Sequence, residues 1–450
     1  MRVTRVALLV LLCATVSRAQ TVLDPNLRVQ TWVKGLNNPT GVVFIENNDA
    51  LVAERTTGQV KLLRNRGIHS TVADLPVANG GSEQGLLGIT LSPSFTTDRY
   101  VYLYYTASTA DGGRAFDNRV ERHVWNGTSL SFDRHIVRMP ADPGPNHNGG
   151  RMAFGPDNKL YVLMGDVNRN GRTQNYEAST ERTRTGVVMR LQPYGKPVPN
   201  NPYYNPATPT APINDVWGHG IRNGFGLDFD PVSGLLWETE NGATSFDEIN
   251  LVHRGFNGGW EDLMGPAARN GGSPGVPPGT MANLGGNSQY YDPKFSWLNP
   301  VAPTDVHFLR NGFLGNQYRG DMFVGTLRNG AIMHFELSFN RKNLLLDGPL
   351  ADQVADNTST NRLGEQNQIL FGTGFGTVTD IITGPGGMYV LSLNGNLYRI
   401  SQNPAETMTM STMMARLAEV SVPEPVGGLT ALAWLAAWSL QRPRRERGRP

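Results

Sequence analysis

Gly144-Pro145-Asn146-His147-Asn148-Gly149-Gly150-Arg151 leads into Met152-Ala153-Phe154, the polar turn Gly155-Pro156-Asp157-Asn158, and then Lys159-Leu160-Tyr161-Val162-Leu163-Met164-Gly165-Asp166. Two short apolar runs separated by a Gly/Pro/Asn/Asp turn predict a β-hairpin. If Met152–Phe154 pairs with Leu160–Met164, the loop before the first strand and the residues after the second emerge at the same end. His147 and Asp166 then meet at the mouth of a β unit. An imidazole titrates near neutrality, where a general base works best, and a carboxylate on Nδ1 fixes its tautomer and orientation. Gly149 and Gly150 let a ligand come close to the backbone.

The same strand–turn–strand unit recurs along the chain, in Gly41–Val52, Gly88–Tyr105, Gly226–Trp237, Val306–Val324 and Asp380–Leu391. Further strands follow some of these units, at Gln59–Leu63, Ala331–Leu337 and Asn396–Ile400. Six similar units at intervals of roughly fifty to ninety residues predict radial repetition, an all-β fold in the form of a six-bladed β-propeller. Two consecutive β-sandwiches would need a linker-like break in the middle of the chain, and none is visible. The long stretches 167–220 and 261–300 are expected to be functional loops gathered above the central channel.

Composition agrees with a turn-rich β protein. The 450 residues include 52 Gly and 30 Pro, with only 17% charged residues. Removing the +3 of residues 1–19 and the +4 of residues 442–450 from the formal +2 leaves a mildly acidic −5. That balance argues against a nucleic-acid partner. Arg2 and Arg5, the apolar run Val6–Val16 and the small-x-small site Ser17-Arg18-Ala19 form a secretory signal peptide over 1–19. The single cysteine, Cys13, lies inside it, so disulfides, thiolate catalysis and cysteine metal sites are all excluded from a mature chain. The propeller is expected over 20–401 and a Met-rich linker over 402–421. Residues 422–450 hold Val422-Pro423-Glu424-Pro425, an apolar run and an Arg-rich end. That order resembles the bacterial PEP-CTERM sorting signal. The resemblance implies export to the cell envelope, membrane association only through this segment, and processing by an exosortase-type enzyme.

Two other stretches carry candidate chemistry. Arg222-Asn223, in front of a strand, offers a fork of donors suited to an anionic or quinonoid oxygen ligand. Glu238 to Asn250 contains four carboxylates and several carbonyls, the oxygen-rich setting that a hard cation such as calcium takes.

Gly85-Leu-Leu-Gly88, Asn146-His-Asn-Gly-Gly-Arg151, Gly220-Ile-Arg-Asn223, Asp247-Glu-Ile-Asn-Leu251 and Gly255-Phe-Asn-Gly-Gly-Trp260 occur in that order. As an ordered set they resemble the soluble quinoprotein glucose/sorbosone dehydrogenase family, which includes aldose sugar dehydrogenases, over about residues 36–401. The resemblance implies a six-bladed β-propeller holding pyrroloquinoline quinone (PQQ) and calcium over its channel. It implies oxidation of the anomeric hydroxyl of an aldose to a lactone, with electrons passed to an external acceptor. On matching positions, His147 is the base and Asp166 its carboxylate partner. Arg222, Asn223 and Arg328 face the cofactor, Arg328 in place of a family lysine, and Glu83 stands where the family has a glutamine. The carbonyls of Gly242 and Ala243 are the expected calcium ligands.

The chain departs from the family at Thr377-Val-Thr-Asp380, where an Arg-x-Arg-Asp sequence pairs with the cofactor's carboxylates. Losing two such charge-assisted contacts costs on the order of 1.5–3 kcal/mol each, unless Arg169, Arg172 or another loop residue substitutes. A carboxylate at Glu83 also opposes an anionic cofactor, and a family glutamine after Asp166 falls on Gly171. A non-catalytic cell-surface propeller that binds a glycan or protein partner is therefore a second reading, and a metal-dependent lactonase a third.

Overall fold

Short apolar runs punctuated by glycine, proline and asparagine give antiparallel strands joined by tight turns, and the strands sort into six sheets. The computed structural model describes residues 20–404 apart from 82, 171–174, 176–182, 270–280 and 357–363. The signal segment 1–19, most of the linker and the Val422–Pro425 motif lie outside the described residues, as do Gly171 and Arg172. Among the described residues no helix is long and apolar enough to cross a membrane.

In chain order, the sheets begin with Pro39–Phe44, Leu86–Leu91, Met152–Phe154, Gly224–Phe229, Pro303–Phe308 and Val378–Gly384. Each of these strands packs beside the next, and the last packs beside the first, so the six close a ring. The hairpin expected at His147 is present, with Met152 opposite Val162 and Phe154 opposite Leu160. The sixth sheet is completed from the other end of the chain. Its outer strand is Leu27–Val33, antiparallel to Asn396–Gln402. This strand has no repeat neighbour in sequence, and it fastens the first and last parts of the ring together.

There is no single core. Apolar side chains fill the layers between successive sheets, for example Leu51 and Val60 against Leu103 and Tyr105. Trp237 and Ile249 pack with Val306 and Phe308, and Val42 and Val52 pack with Tyr389 and Leu391. Burial of this kind contributes about 25 cal/mol per Å² of apolar area. Near the axis the layers leave no room for a Cβ at two motif glycines. A Cβ added to Gly88 would lie 2.0 Å from the carbonyl oxygen of Gly150, and one on Gly150 would lie 2.6 Å from Cβ of Leu87. Both glycines in the Gly-Leu-Leu-Gly and Asn-His-Asn-Gly-Gly motifs therefore allow neighbouring sheets to touch backbone to side chain.

Inside the ring, one arginine, its side chain 14% exposed, ties the inner strands together. Arg151 bonds through Nε to the carbonyl of Phe225 at 3.1 Å and through its terminal nitrogens to Asp380, Asp305 and the Thr379 carbonyl at 2.8–2.9 Å. The carboxylates reach onward, Asp380 accepting from Val42 N–H at 2.7 Å and Asp305 from Ile381 N–H at 2.6 Å. Burial works against the Arg151 charge, yet Asp305 and Asp380 outweigh it and hold its pKa above the ordinary value. Removing the cation strands two buried acids. Arg151→Met is predicted to cost about 3–5 kcal/mol of stability, read as a lower urea midpoint. An unchanged midpoint would show that the network does not hold the ring.

Candidate functional site

Every sheet contributes the beginning of its inner strand to one cavity of about 630 Å³ on the axis, through Thr40, Leu87, Arg151, Phe225, Thr304 and Thr379. Glu83, Gly149, Gly242, Ala243 and Arg328 complete much of the wall. The strand ends and the loops that follow them thus build a mouth above the arginine network.

His147 and Asp166 are joined behind this wall: neither lines the cavity, but the His147 loop reaches it through Gly149 and through Glu83, which accepts from His147 N–H. His147 Nδ1 lies 2.6 Å from Asp166 Oδ1, with the imidazole 9% and the carboxylate 1% exposed. The residues around them explain the rigidity. Asp166 N–H donates to the Arg222 carbonyl at 2.8 Å, Val167 N–H to the His147 carbonyl at 3.3 Å, and Asn168 N–H to Asp166 Oδ1 at 3.0 Å. His147 itself takes a left-handed φ of 63°. Its Nε2 has no hydrogen-bond partner among the described residues. A ring fixed through Nδ1 with Nε2 left open is arranged to accept a proton.

A third member of this group is not singled out by the sequence. Trp260 donates its indole N–H to Asp166 Oδ2 at 2.8 Å, and the Arg222 guanidinium lies 5.4 Å from its ring centroid. The tryptophan therefore links the histidine–aspartate pair to Arg222. The only available signal is its place at the end of Gly255–Trp260, since a contact between positions 94 residues apart has no local pattern.

The other predicted residues divide. Glu83 accepts from His147 N–H at 2.5 Å and from Asn223 Nδ2 at 3.3 Å, so its carboxylate braces the His147 loop while facing the cavity. Asn223 keeps a buried, unpartnered Oδ1. Arg222 is not in the cavity wall, because its guanidinium donates to the carbonyls of Asn241 and Gly242 at 2.8 and 2.9 Å. The Gly242 carbonyl expected for calcium is thus already an acceptor. Arg328 lines the cavity, as does Arg55, which the sequence does not point to. Burial lowers the Arg55 pKa, with Glu83 pulling the other way. Thr377 and Thr379 occupy the wall where the family resemblance puts arginines, and Thr379 Oγ1 donates instead to the Pro39 carbonyl at 2.8 Å. Arg169 is bonded to the Asp142 carbonyl and is not in the wall.

The stretch Glu238–Asn250 is not an oxygen-rich loop. Leu236–Glu240 and Asp247–Leu251 are paired strands, with Glu238 opposite Asn250 and Glu240 opposite Glu248. Strand alternation puts these four polar side chains on one buried face. Asn250 Nδ2 donates to Glu238 at 2.8 Å and to Glu248 at 2.9 Å, and Glu240 accepts from Arg222 N–H at 2.5 Å. Among the described residues no group of three His, Cys, Asp or Glu side chains could hold a metal ion. Burial instead pushes the carboxyls up, Glu238 to about 8 and Glu248 to about 7, so they retain protons that the unfolded chain has lost above its ordinary 4.5. Their contribution to stability is complete below that unfolded value and is lost as pH rises through the folded values. Stability is predicted to fall between about pH 5 and 8, and Glu238→Gln to flatten the fall, measured by urea unfolding across pH. In the same assay at fixed pH, Trp260→Phe is predicted to cost about 1.5–3 kcal/mol through loss of a hydrogen bond to a charged acceptor.

Comparison with known proteins places this geometry. The sequence profile of the Glucose / Sorbosone dehydrogenase family matches residues 36–399. Aldose sugar dehydrogenase YliI of Escherichia coli is 24% identical over 390 residues, covering 86% of this chain and 95% of that protein. The crystal structure of an oxidoreductase (glucose dehydrogenase) from Thermus thermophilus is 30% identical with a TM-score of 0.63, covering 83% of this chain and 99% of that one. The PQQ-bound form of aldose sugar dehydrogenase from Streptomyces coelicolor shares the fold, with 24% identity, a TM-score of 0.59 and coverage of 85% and 98%. The all-β ring, the ordered motifs and the match across most of the chain agree: this protein belongs to the glucose/sorbosone dehydrogenase family.

Proposed function

We propose that each of the six sheets is one blade of a six-bladed propeller, and that the protein oxidises the anomeric hydroxyl of an aldose with PQQ bound in the axial cavity. The observation that carries this reading is the 2.6 Å His147–Asp166 pair beside a cavity walled by all six sheets. PQQ is a flat tricarboxylate; a cavity of about 630 Å³ suits it in size, and Arg55, Arg151 and Arg328 in the wall outnumber the acids Glu83 and Asp247, although Glu83 itself opposes an anion. The residues therefore fit the quinone. Calcium is less well provided for, since Arg222 already uses the Gly242 carbonyl, and no step below depends on the ion.

When bound, the quinone supplies the two-electron acceptor for the hydride leaving the sugar's anomeric carbon, which makes the sugar a lactone. The chain's own part is proton management. His147 Nε2 takes the hydroxyl proton, and Asp166, held by Trp260, keeps Nδ1–H pointed at its carboxylate and stabilises the imidazolium. Glu83 and the glycines around His147 fix the loop. His147→Ala is predicted to leave PQQ binding intact and to lower kcat with an aldose and an artificial electron acceptor by about 10²–10⁴-fold. Unchanged kcat would remove His147 from the chemistry.

Thr377 and Thr379 in the cavity wall favour one other reading, a surface propeller that binds a glycan or protein without turnover. Loss of quinone binding together with tight partner binding would select it. Export to the envelope, initial anchoring through residues 422–450 and processing by an exosortase-type enzyme are part of the proposal and rest on the terminal sequence motifs.

A further inference from the structure

His147 and Asp166 flank the hairpin of the third sheet, yet one side chain of the second sheet touches both of its arms. Tyr104, in the strand Tyr100–Ala107, is fully buried and packs with Met152, Val162 and Met164 in the layer between the two sheets. Its hydroxyl oxygen lies 2.6 Å from the Asn148 carbonyl oxygen and 2.7 Å from Met164 Sδ. Asn148 is the residue after His147, and Met164 stands two residues before Asp166. A phenol has one proton to give, and the carbonyl is a better acceptor than a thioether, so the hydroxyl donates to Asn148 and rests against the sulfur. Burial pushes the Tyr104 phenol well above its ordinary pKa, so it remains a donor at any working pH.

The loop is fixed from the same side by a second set of bonds. Asn148 Oδ1 accepts from Asn118 Nδ2 at 3.0 Å, and Asn148 Nδ2 donates to the Pro145 carbonyl at 2.5 Å. Asn118 Oδ1 in turn accepts from Thr106 Oγ1 at 2.7 Å. Thr106, Asn118 and Asn148 are all fully buried, and the first two belong to the second sheet. Between these anchors His147 holds its left-handed φ of 63°, which a residue with a side chain keeps only where its surroundings over-determine it.

We propose that Tyr104 is a positioning residue for the reaction: its hydroxyl pegs the His147 loop to the strand leading to Asp166, and so sets the reach between imidazole and carboxylate. The kinetic consequence rests on the oxidoreductase reading above, and the geometric one does not. Tyr102 is the natural comparison. It lies on the same strand, is equally buried, and donates its hydroxyl to the Pro193 carbonyl at 3.0 Å, away from the pair. Each tyrosine loses one buried hydrogen bond on conversion to phenylalanine, but only Tyr104 touches the residues beside His147 and Asp166.

Tyr104→Phe and Tyr102→Phe, compared in the purified protein, test the proposal. Both keep the ring, so both are expected to keep the circular dichroism of the parent. In the quinone-free protein, the downfield proton resonance of His147 Nδ1–H, assigned by its absence in His147→Ala, reports the bond to Asp166. Its exchange with solvent is expected to be unchanged in Tyr102→Phe and about tenfold or more faster in Tyr104→Phe. With PQQ, an aldose and an artificial electron acceptor, Tyr104→Phe should lower kcat by about ten- to a hundredfold at unchanged KM and PQQ affinity, and Tyr102→Phe should not. Equal proton exchange in the two variants, or equal kcat, would overturn the proposal. A parent without turnover would instead count against the oxidoreductase reading, and the exchange comparison would still decide the role of Tyr104.

Discussion

A single, largely enclosed guanidinium sets the geometry on which the rest of the structure depends. Arg151 reaches the fourth, fifth and sixth sheets directly, and Asp380 extends the network to Val42 in the first. Apolar layers between sheets are non-directional and tolerate sliding, whereas a charged fork with several acceptors does not. The network therefore fixes how the sheets are rotated about the axis, while the layers supply most of the free energy. A buried ion network of this kind is costly to assemble, and its clearest use is to specify one arrangement among several of similar burial.

The same residue couples scaffold to site. Arg151 begins the hairpin whose preceding loop carries His147 and whose far end carries Asp166, so the network that closes the ring also sets the position of the proton-accepting pair. Around that pair the polar groups brace one another. Glu83 holds the His147 backbone and Asn223, Trp260 holds Asp166 and lies under Arg222, and Arg222 holds the Asn241–Gly242 turn. Preorganisation of this kind is what makes a weak base effective, because little rearrangement remains at the moment of reaction. It also explains why Arg222 does not face the cavity: its donors are spent on carbonyls in the wall.

Much of this is legible from residues close in sequence. The His147 hairpin, the repeating strand–turn–strand units and the meeting of His147 with Asp166 follow from local apolar pattern and turn chemistry. What is not legible depends on contacts between distant positions. Leu27–Val33 closes the sixth sheet from the opposite end of the chain, and nothing in its own composition says so. Trp260 reaches Asp166 across two sheets' worth of sequence. Glu238, Glu240, Asp247 and Glu248 read as an oxygen-rich loop because carboxylate spacing alone does not show that the residues lie on paired, buried strands, where burial raises the pKa of Glu238 and Glu248. The replacement of arginines by Thr377 and Thr379 is visible at once, whereas the presence of Arg55 in the same wall requires the fold.

The most direct test is whether this particular wall, with Arg55 and Arg328 present and Thr377 and Thr379 in place of arginines, holds the quinone at all. Equilibrium binding of PQQ to the purified protein, followed by calorimetry at saturating calcium, measures this without relying on a choice of sugar or electron acceptor. The account predicts saturable binding of one PQQ per chain that Arg55→Ala and Arg328→Ala each weaken. Absence of binding would contradict the oxidoreductase reading and leave a propeller whose axial cavity serves some other ligand.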